Sequence, residues 1–294
     1  MPVRRRRRLV LAILVVLAVL LLWCSHRAPI VLGTFNIRTF PGEHTDSEAV
    51  AAAIVGLGAD AFAVQEIVDG AAFQRVLDRA SAITGRQYVM TLRHAYCRHS
   101  SFQIGVVYDA RRIELVESDR LGDNPSCPFG QPPGLVALLR GEGGRRFTLA
   151  SIHFRAGGGA PARRERLAQW AWLAAELPDL TDRFRAPVIV AGDFNSTGYL
   201  DINDPERRFI DTLVEHEGLQ LPTAALGCSM YWESRAGHYD VSLLDHMLAP
   251  DDLELSMPEV LGMCAALRCV PQESAPAEYE VVSDHCPVRI ELQL

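Results

Sequence analysis

The stretch VIVAGDFNST, at positions 188–197, predicts a buried strand that ends in polar side chains. The apolar residues 188–191 have the composition of a strand, and Gly192 marks its end. An acid, Asp193, and an amide, Asn195, follow at once, where a bland turn would ordinarily close the strand. Because burying an unpaired carboxylate is costly, a strand that ends in this way predicts a partner for the acid, either a hydrogen bond or a ligand.

Polar residues stand within or beside apolar runs at five further places in the chain. Taken singly, each is explained as well by a hydrogen bond at a strand end as by catalysis. Together they predict one pocket. Grouped carboxylates require a cation, and oxygen donors without a paired Cys/His set favour Mg²⁺, Mn²⁺ or Ca²⁺ over zinc. The residues are Asn36 in TFNIR, Glu66 in AVQEI, His153 in SIHFRAG, Asp245 in LLDHML, and Asp284 with His285 in SDHCPV.

Segments of strand and helix composition follow one another after residue 28. Two roughly equal sets of strands, with helices between them, predict two packed sheets covered by helices, an α/β fold. No linker divides the chain, so residues 29–294 are predicted to form one domain. Strands are predicted at 29–40, 59–67, 186–195, 241–249 and 286–294, with a strand pair at 102–109 and 112–118 and a hairpin over 134–159. Helices are predicted at 46–58, 70–85, 161–177 and 206–217.

Residues 1–28 have a different composition from the rest. Five arginines, 4–8, precede an apolar run of 15 residues from Leu9 to Trp23. As a helix this run would cover about 22 Å, less than the roughly 30 Å core of a bilayer. The pattern predicts a signal peptide or a short signal-anchor, and LLWC loosely resembles a lipoprotein site. Because basic residues stay in the cytoplasm, the remainder is expected in the periplasm on a bacterial inner membrane, or secreted after cleavage.

Cysteine usage and charge agree with export. Six cysteines follow Cys24, an even number that suggests disulfides in an exported chain, and no CxxC spacing suggests zinc. Their pairing stays open. Six of the 29 arginines and none of the 36 acidic residues precede residue 28, so the remainder carries a formal charge of −13. Such a surface does not attract polyanions in general, and a phosphate-bearing substrate would need a local site or a metal.

In their order along residues 30–294, the blocks TFNIR, QE, IHFRAG, GDFNST, LLDHML and SDHCPV resemble the endonuclease/exonuclease/phosphatase superfamily. This superfamily includes pancreatic-type deoxyribonucleases, abasic-site endonucleases, sphingomyelinases and inositol-polyphosphate 5-phosphatases. The resemblance implies a four-layer α/β sandwich, with two central, mostly antiparallel β-sheets flanked by helices. It also implies metal-dependent hydrolysis of phosphoester bonds, and hence a phosphodiester substrate.

The resemblance assigns a role to each strand-end residue. It implies that Asn36, Glu66 and Asp284 hold the metal. Asp193 would orient or activate water, and Asn195 would hydrogen-bond the developing oxyanion. His285 resembles the general base, and His153 resembles a partner histidine that contacts the phosphate or assists the leaving oxygen. Asp245 is expected to orient His153 by accepting its other ring N–H.

The substrate is less well defined than the reaction, and two departures from the deoxyribonuclease pattern bear on it. Secreted deoxyribonucleases have an acid that supports the general-base histidine on the strand that corresponds to SSFQIGVVYD, but positions 101–103 hold no acid here. They also have an arginine that contacts DNA phosphate, where this chain has Gln131. Arg98 or Arg155 could replace that positive charge, but a solvated surface position is favoured for each. We predict a nuclease first and, as the alternative, a sphingomyelinase-like or other phospholipid or inositol-phosphate phosphoesterase. A non-catalytic binding module is disfavoured by the intact set of site residues.

The export segment and the acidic body disfavour a cytosolic repair endonuclease. We expect a monomer with no obligate protein partner. It should bind a phosphodiester substrate, with nucleic acid as the first choice, and contact the membrane through its N-terminal segment. His246, inside LLDHML, is predicted to be a packed strand residue and not part of the chemistry.

Overall fold

The computed structural model describes residues 28–94, 102–121 and 134–293. Residues 1–27 of the predicted signal segment lie outside these residues, as do Cys97, Arg98, Cys127 and Gln131. In chain order the elements are β1 (Ile30–Phe40), α1 (Ser47–Leu57), β2 (Ala61–Ile67), α2 (Gly70–Thr84), β3 (Tyr88–His94), β4 (Gln103–Asp109), β5 (Glu114–Arg120), β6 (Leu135–Arg140), β7 (Arg146–His153), α3 (Ala160–Phe184), β8 (Val188–Asp193), α4 (Pro205–His216), β9 (Leu219–Gln220), β10 (Met230–Arg235), β11 (His238–Ser242), β12 (Asp245–Pro250), β13 (Glu259–Val260), α5 (Gly262–Ala266) and β14 (Val288–Leu292).

Two six-stranded sheets form the centre of the fold, and β10 and β11 form a separate hairpin. The first sheet has the order β13-β14-β1-β2-β4-β3, and the second has the order β5-β6-β7-β8-β12-β9. In each sheet the neighbouring strands are antiparallel except for one central pair, β1 with β2 and β7 with β8. The predicted pair of mostly antiparallel sheets is therefore confirmed.

The central strands are apolar on both faces because both of their faces are covered. In β2, Ala61 and Ala63 pack between the two sheets, whereas Phe62 and Val64 pack under the helices α1 and α2. In β8, Ile189 points between the sheets, and its neighbours pack against α3 and α4 on the far side. Helix, sheet, sheet and helix thus form four layers, as the resemblance implied.

The predicted strand pair at 102–109 and 112–118 is wrong. Strand β4 lies between β2 and β3 and has no free edge, so β5 cannot pair with it. A turn after Asp109 instead carries the chain across to the second sheet, where β5 pairs with β6 as an edge strand. Ile113 is buried between the two sheets at this crossing. The hairpin predicted over 134–159 is confirmed by β6 and β7.

Helix ends follow local signals with one exception. Asp46 caps α1 by accepting hydrogen bonds from the N–H groups of Glu48 and Ala49, and Gly58 ends it in the left-handed conformation. Helix α3 continues through Pro178 to Phe184, seven residues past the predicted end at 177. Its last two turns bury Leu180 and Phe184 against the second sheet, which outweighs the local preference of proline.

Two disulfides join segments of the last third of the chain. Cys228 bonds to Cys269, and Cys264 bonds to Cys286. Stable disulfides indicate an extracytoplasmic compartment. Among the described residues, no helix is long and apolar enough to span a membrane.

Candidate active site

The regular register of both central parallel strand pairs ends at the same place. In the first sheet, Asn36 of β1 pairs with Gln65 of β2, and Glu66 follows directly. In the second sheet, His153 of β7 pairs with Asp193 of β8. Because parallel strands finish at the same edge of a sheet, residues far apart in the sequence come to lie side by side. The carboxyl ends of these two pairs form the floor of the site.

Neighbouring segments complete the site from the antiparallel side. Asp245, the first residue of β12, lies directly opposite Asp193. His285 precedes β14 and forms an isolated antiparallel bridge with Met230 of β10. A continuous set of contacts and electrostatic interactions therefore brings together all the predicted site residues, which are Asn36, Glu66, His153, Asp193, Asn195, Asp245, Asp284 and His285.

Asp193 is the centre of these contacts. Its Oδ2 lies 3.0 Å from Nδ2 of Asn36, 3.5 Å from Nε2 of His153 and 3.7 Å from Nε2 of His285. Its Oδ1 accepts a hydrogen bond of 2.8 Å from the backbone N–H of Asn195. Burial raises the pKa of Asp193, although the two histidines oppose this effect. One carboxylate oxygen is thus within reach of both imidazoles.

Glu66 is oriented from two sides and has a left-handed backbone conformation, with φ of 63°. Its Oε1 accepts a hydrogen bond of 3.2 Å from Nδ2 of Asn36. Its Oε2 accepts bonds from Thr39, at 2.9 Å from the backbone N–H and 3.2 Å from the hydroxyl. Burial by itself raises the pKa of Glu66, but the charges of His153 and His285 lower it overall, aided by these hydrogen bonds. The ionised form, which a cation needs, is therefore favoured.

Asp284 lies on the more open side of the site, where 19% of its side chain is exposed. Burial raises the pKa of Asp284, and the negative charge of Glu66 contributes in the same direction. The charges of His285 and, less strongly, Arg38 partly offset this rise in pKa. Arg38 places its Nη1 4.0 Å from Asp284 Oδ2 and its Nη2 2.8 Å from Glu280. Glu66 and Asp284 therefore form a pair of mutually repelling carboxylates.

Asp245 holds His285 and does not orient His153, so that prediction is wrong. Nδ1 of His285 lies 2.8 Å from Oδ2 of Asp245. The reason is the order of the strands: β8 lies between β7, which carries His153, and β12, which carries Asp245. Two strand spacings, about 10 Å, separate those positions. Nε2 of His153 instead faces Asp193 and, at 3.7 Å, Oε1 of Glu66.

The pair of Asp245 and His285 is almost completely buried, and the two charges interact. Burial lowers the pKa of His285, but the carboxylates of Asp245 and Asp193 reverse this effect and raise it well above the ordinary histidine value. Ser229 fixes the acid, because its hydroxyl donates a 2.7 Å hydrogen bond to Asp245 Oδ2. The same hydroxyl oxygen accepts hydrogen bonds from the backbone N–H groups of Leu244 and Asp245, at 3.0 and 2.9 Å.

Asn195 adopts the left-handed conformation, with φ of 52°, immediately after β8. Its Nδ2 donates one hydrogen bond of 3.1 Å to the carbonyl of Phe154. Gly192 is required one residue before Asp193, because a side chain there would collide with the carbonyl of Ile152 on β7. The glycine therefore allows β7 and β8 to lie close together beside the pair of His153 and Asp193.

Two groups of side chains have the chemistry to bind a cation. Single ligand atoms of Asp193, Asp245 and His285 all lie within 4.8 Å of one another, so this buried group could bind a metal. Within this group Nδ1 of His285 bonds to Asp245, so Nε2 is the ring nitrogen that faces Asp193. The second group is Glu66 and Asp284 with Asn36 beside them. Its carboxylates repel each other, and their oxygens fit Mg²⁺, Mn²⁺ or Ca²⁺. Asn36 turns its Nδ2 towards Glu66, and its Oδ1 accepts a hydrogen bond of 3.1 Å from the backbone N–H of Arg38.

Thr39 and Ser229 support the site and were not predicted from the sequence. Thr39 directly follows the TFNIR block, and that proximity is the only sequence signal for it. Ser229 follows Cys228 in no recognisable pattern, and only its place beside Asp245 gives it meaning. The prediction for His246 is confirmed: its ring is buried against Phe194 and Tyr199. Arg155, the alternative phosphate-binding cation, pairs with Glu165 at 3.5 Å.

A model of the endonuclease/exonuclease/phosphatase family matches residues 33–285. The chain belongs to this family. The match includes every predicted site residue, from Asn36 to His285. No curated protein matches the chain.

Solved structures of the same fold cover nearly all of the chain at low sequence identity. A family member from Bacteroides vulgatus is 17% identical, with a TM-score of 0.62 and coverage of 91% of this chain and 100% of its own. TDP2 from D. rerio, complexed with a single-strand DNA product, is 14% identical, with a TM-score of 0.66 and coverage of 91% and 100%. A mannosyl-6-phosphatase from Bacteroides thetaiotaomicron is 16% identical, with a TM-score of 0.61 and coverage of 90% and 100%. At these identities the similarity concerns the fold alone.

Proposed function

We propose that the protein is a divalent-metal-dependent phosphoester hydrolase that cleaves its substrate by attack of water. The observation that carries the proposal is the contact chain from Asp245 through His285 to Asp193, beside the carboxylates of Glu66 and Asp284. A buried, oriented histidine can move a proton, and an acid pair next to it can hold a cation. Membership of the family supports the same reaction.

Glu66 and Asp284 would hold the ion, with Asn36 beside them. When bound, a Mg²⁺, Mn²⁺ or Ca²⁺ ion neutralises negative charge on the phosphate oxygens. The lowered pKa of Glu66 supports this assignment, because the carboxylate is ionised before any ion arrives. We assign Asp193, Asp245 and His285 to proton transfer instead, since Asp245 orients the imidazole through Nδ1 and leaves Nε2 facing Asp193.

The chain's own residues divide the remaining work. A cation held by the nearby acid pair would oppose the raised pKa of His285 and favour its neutral form. In that form His285 is proposed to accept the proton of the attacking water at Nε2, while Asp245 and Asp193 stabilise the positive charge that it gains. Asp193 orients the water. Asn195 uses one amide hydrogen for the Phe154 carbonyl, which leaves the other to donate to the developing oxyanion. His153 contacts the phosphate or assists the leaving oxygen.

The substrate is proposed to be a nucleic-acid phosphodiester, with a phospholipid or inositol phosphate as the alternative. The TDP2 relative in complex with single-strand DNA supports the first choice. The mannosyl-6-phosphatase relative shows that the same fold also serves a phosphatase. Substrate class is therefore the part of the proposal that most needs a direct assay.

Export is supported by the two disulfides and by the basic and apolar segments at the N-terminus.

One substrate screen tests the proposal. The purified protein with Mg²⁺ is assayed against plasmid DNA, RNA, sphingomyelin and inositol phosphates, with His285→Ala as the matched inactive control. We expect phosphodiester cleavage of nucleic acid by the wild type and at most trace activity in the variant. Turnover of a lipid or inositol phosphate alone would replace the substrate class, and no turnover of any phosphoester would overturn the hydrolase assignment.

A further inference from the structure

Arg166 of α3 is fully buried, and all five of its N–H donors are used. Nε and Nη2 bind the two carboxylate oxygens of Glu206 at 2.6 and 2.8 Å. Nη1 donates to the carbonyls of Arg155 and Gly157 at 3.1 and 2.5 Å. Nη2 also donates to the hydroxyl of Thr197 at 3.0 Å. One guanidinium therefore joins three segments to α3.

Two of these segments are the loops that leave the site. Residues 154–157 follow His153 directly, and Thr197 stands two residues after Asn195. The loops also bond to each other, because Asn195 Nδ2 donates to the carbonyl of Phe154. The third segment is the start of α4, which supplies Glu206. Arg166 thus lies behind both loops and sets the distance between them.

The same face of α3 makes two further contacts to these loops. Gln169 Oε1 accepts the backbone N–H of Arg155 at 2.9 Å, and Trp170 Nε1 donates to the hydroxyl of Ser196 at 3.3 Å. Residues three and four positions after Arg166 lie on its side of the helix. One rigid helix face therefore holds both loops, and its bonds reach residues adjacent to the site on each of them.

A buried ion pair contributes little to stability by itself, since apolar residues of similar size often serve as well. The planar fork of Arg166 has a geometric use that apolar packing lacks, because it binds four residues on three segments at once. We propose that Arg166 is a positioning residue, which sets His153 and Asn195 at the right distance for reaction through the two loops. This inference rests on the proposed hydrolase function.

Arg166→Lys is the first test, because it keeps the charge beside Glu206 and loses the fork. A displacement of the loops by about 1 Å would lower kcat by about 10- to 100-fold, with little change in KM. Arg86→Lys is the matched control. Arg86 also binds a buried carboxylate, Asp60, at 2.6 Å, and the carbonyls of Gly58 and Ala59. These three residues precede β2, at the end of the strand opposite to Glu66. The Arg86→Lys variant should lose stability and keep kcat.

A double-mutant cycle shows whether Arg166 acts through Asn195. In an Asn195→Ala background, Arg166→Lys should cost several-fold less in kcat than in the wild type, because the group that it positions is gone. Equal losses in both backgrounds would contradict the proposal. A merely structural role also predicts equal losses, so the cycle separates the two explanations.

Thr197→Val is the milder variant if Arg166→Lys does not fold. It removes one hydrogen bond to the guanidinium, and Thr197→Ser should restore it. We expect about a threefold loss of kcat and faster amide hydrogen exchange at Phe154 and Asn195 in the valine variant alone. Unchanged exchange and kcat would overturn the positioning role. If the wild type has no hydrolase activity but Thr197→Val still exchanges faster at these two amides, the proposed function is wrong and the positioning of the loops is not.

Discussion

His285 donates its Nδ1 hydrogen to Oδ2 of Asp245 over 2.8 Å, and both side chains are almost completely buried. The opposite nitrogen, Nε2, therefore stays unprotonated in the neutral ring and faces Asp193, 3.7 Å away. The bond fixes both the tautomer and the orientation of the imidazole. Because Asp245 bonds to His285 and not to His153, His285 is the histidine that is oriented to act as a general base.

His285→Ala should lower kcat by about 10²- to 10⁴-fold, because it removes proton transfer. Asp245→Asn keeps the shape of the acid but favours the wrong tautomer of His285, so it should also be costly. The two losses should be far from additive, because both act on one proton transfer. Turnover and melting temperature of the purified single and double variants check this. Additive losses, or near-normal turnover in His285→Ala, would contradict the mechanism.

The disulfides should protect activity as well as stability. Cys286 directly follows His285, and Cys228 directly precedes Ser229, which holds Asp245. Reduction removes two covalent constraints, each of which typically contributes about 2–5 kcal/mol. We expect a reducing agent to lower both melting temperature and kcat. A parallel measurement on Ser229→Ala, with disulfides intact, reports the loss of the hydrogen bond alone. Full activity of the reduced protein at a temperature where it is folded would contradict this expectation.

Removal of divalent metal should abolish hydrolysis, and Mg²⁺ or Mn²⁺ should restore it. The acid pair of Glu66 and Asp284 carries the prediction, since its carboxylates repel each other in the absence of a cation. Glu66→Gln should raise the concentration of metal needed for half-maximal rate. The assay is turnover against metal concentration after chelation with EDTA, with Glu48→Gln, on the exposed face of α1, as a control. Full activity in EDTA would exclude the proposed metal requirement.

Acid should destabilise the fold partly through His246. Burial lowers the pKa of His246 from its ordinary 6.5 to about 3, so the folded state keeps this ring neutral. The unfolded chain binds a proton below pH 6.5, and the stability that the neutral ring contributes is lost as pH falls from 6.5 towards 3. His246→Asn removes this titration. Denaturant unfolding of both proteins at several pH values should give a shallower decline for the variant, and identical slopes would refute the assignment.

A C-terminal alkaline phosphatase fusion tests the proposed topology. The arginines at 4–8 and the apolar run to Trp23 predict export, so the fused alkaline phosphatase should be active in a bacterial host. A cytoplasmic reporter at the same position should be inactive. The reverse result would overturn the topology. Release of the soluble fusion from membranes would favour signal cleavage over a signal-anchor.

The amino-acid sequence determined which residues could form a site. An acid, amide or histidine at the end of an apolar run is a local feature, and six such blocks in a fixed order are enough to indicate the family. The period and composition of the runs also predicted two sheets covered by helices. Such patterns report whether a residue is buried and where an element ends.

Only the tertiary structure decided which of those residues are partners. Asp245 and His285 are 40 positions apart, and nothing local distinguishes that pairing from one with His153. The strand order decides it, because β8 separates β7 from β12. The same limit explains β5, which joins the second sheet because β4 is paired on both edges. Hydrogen-bonding partners across a sheet depend on which strands are adjacent, and adjacency is set by packing of the whole chain.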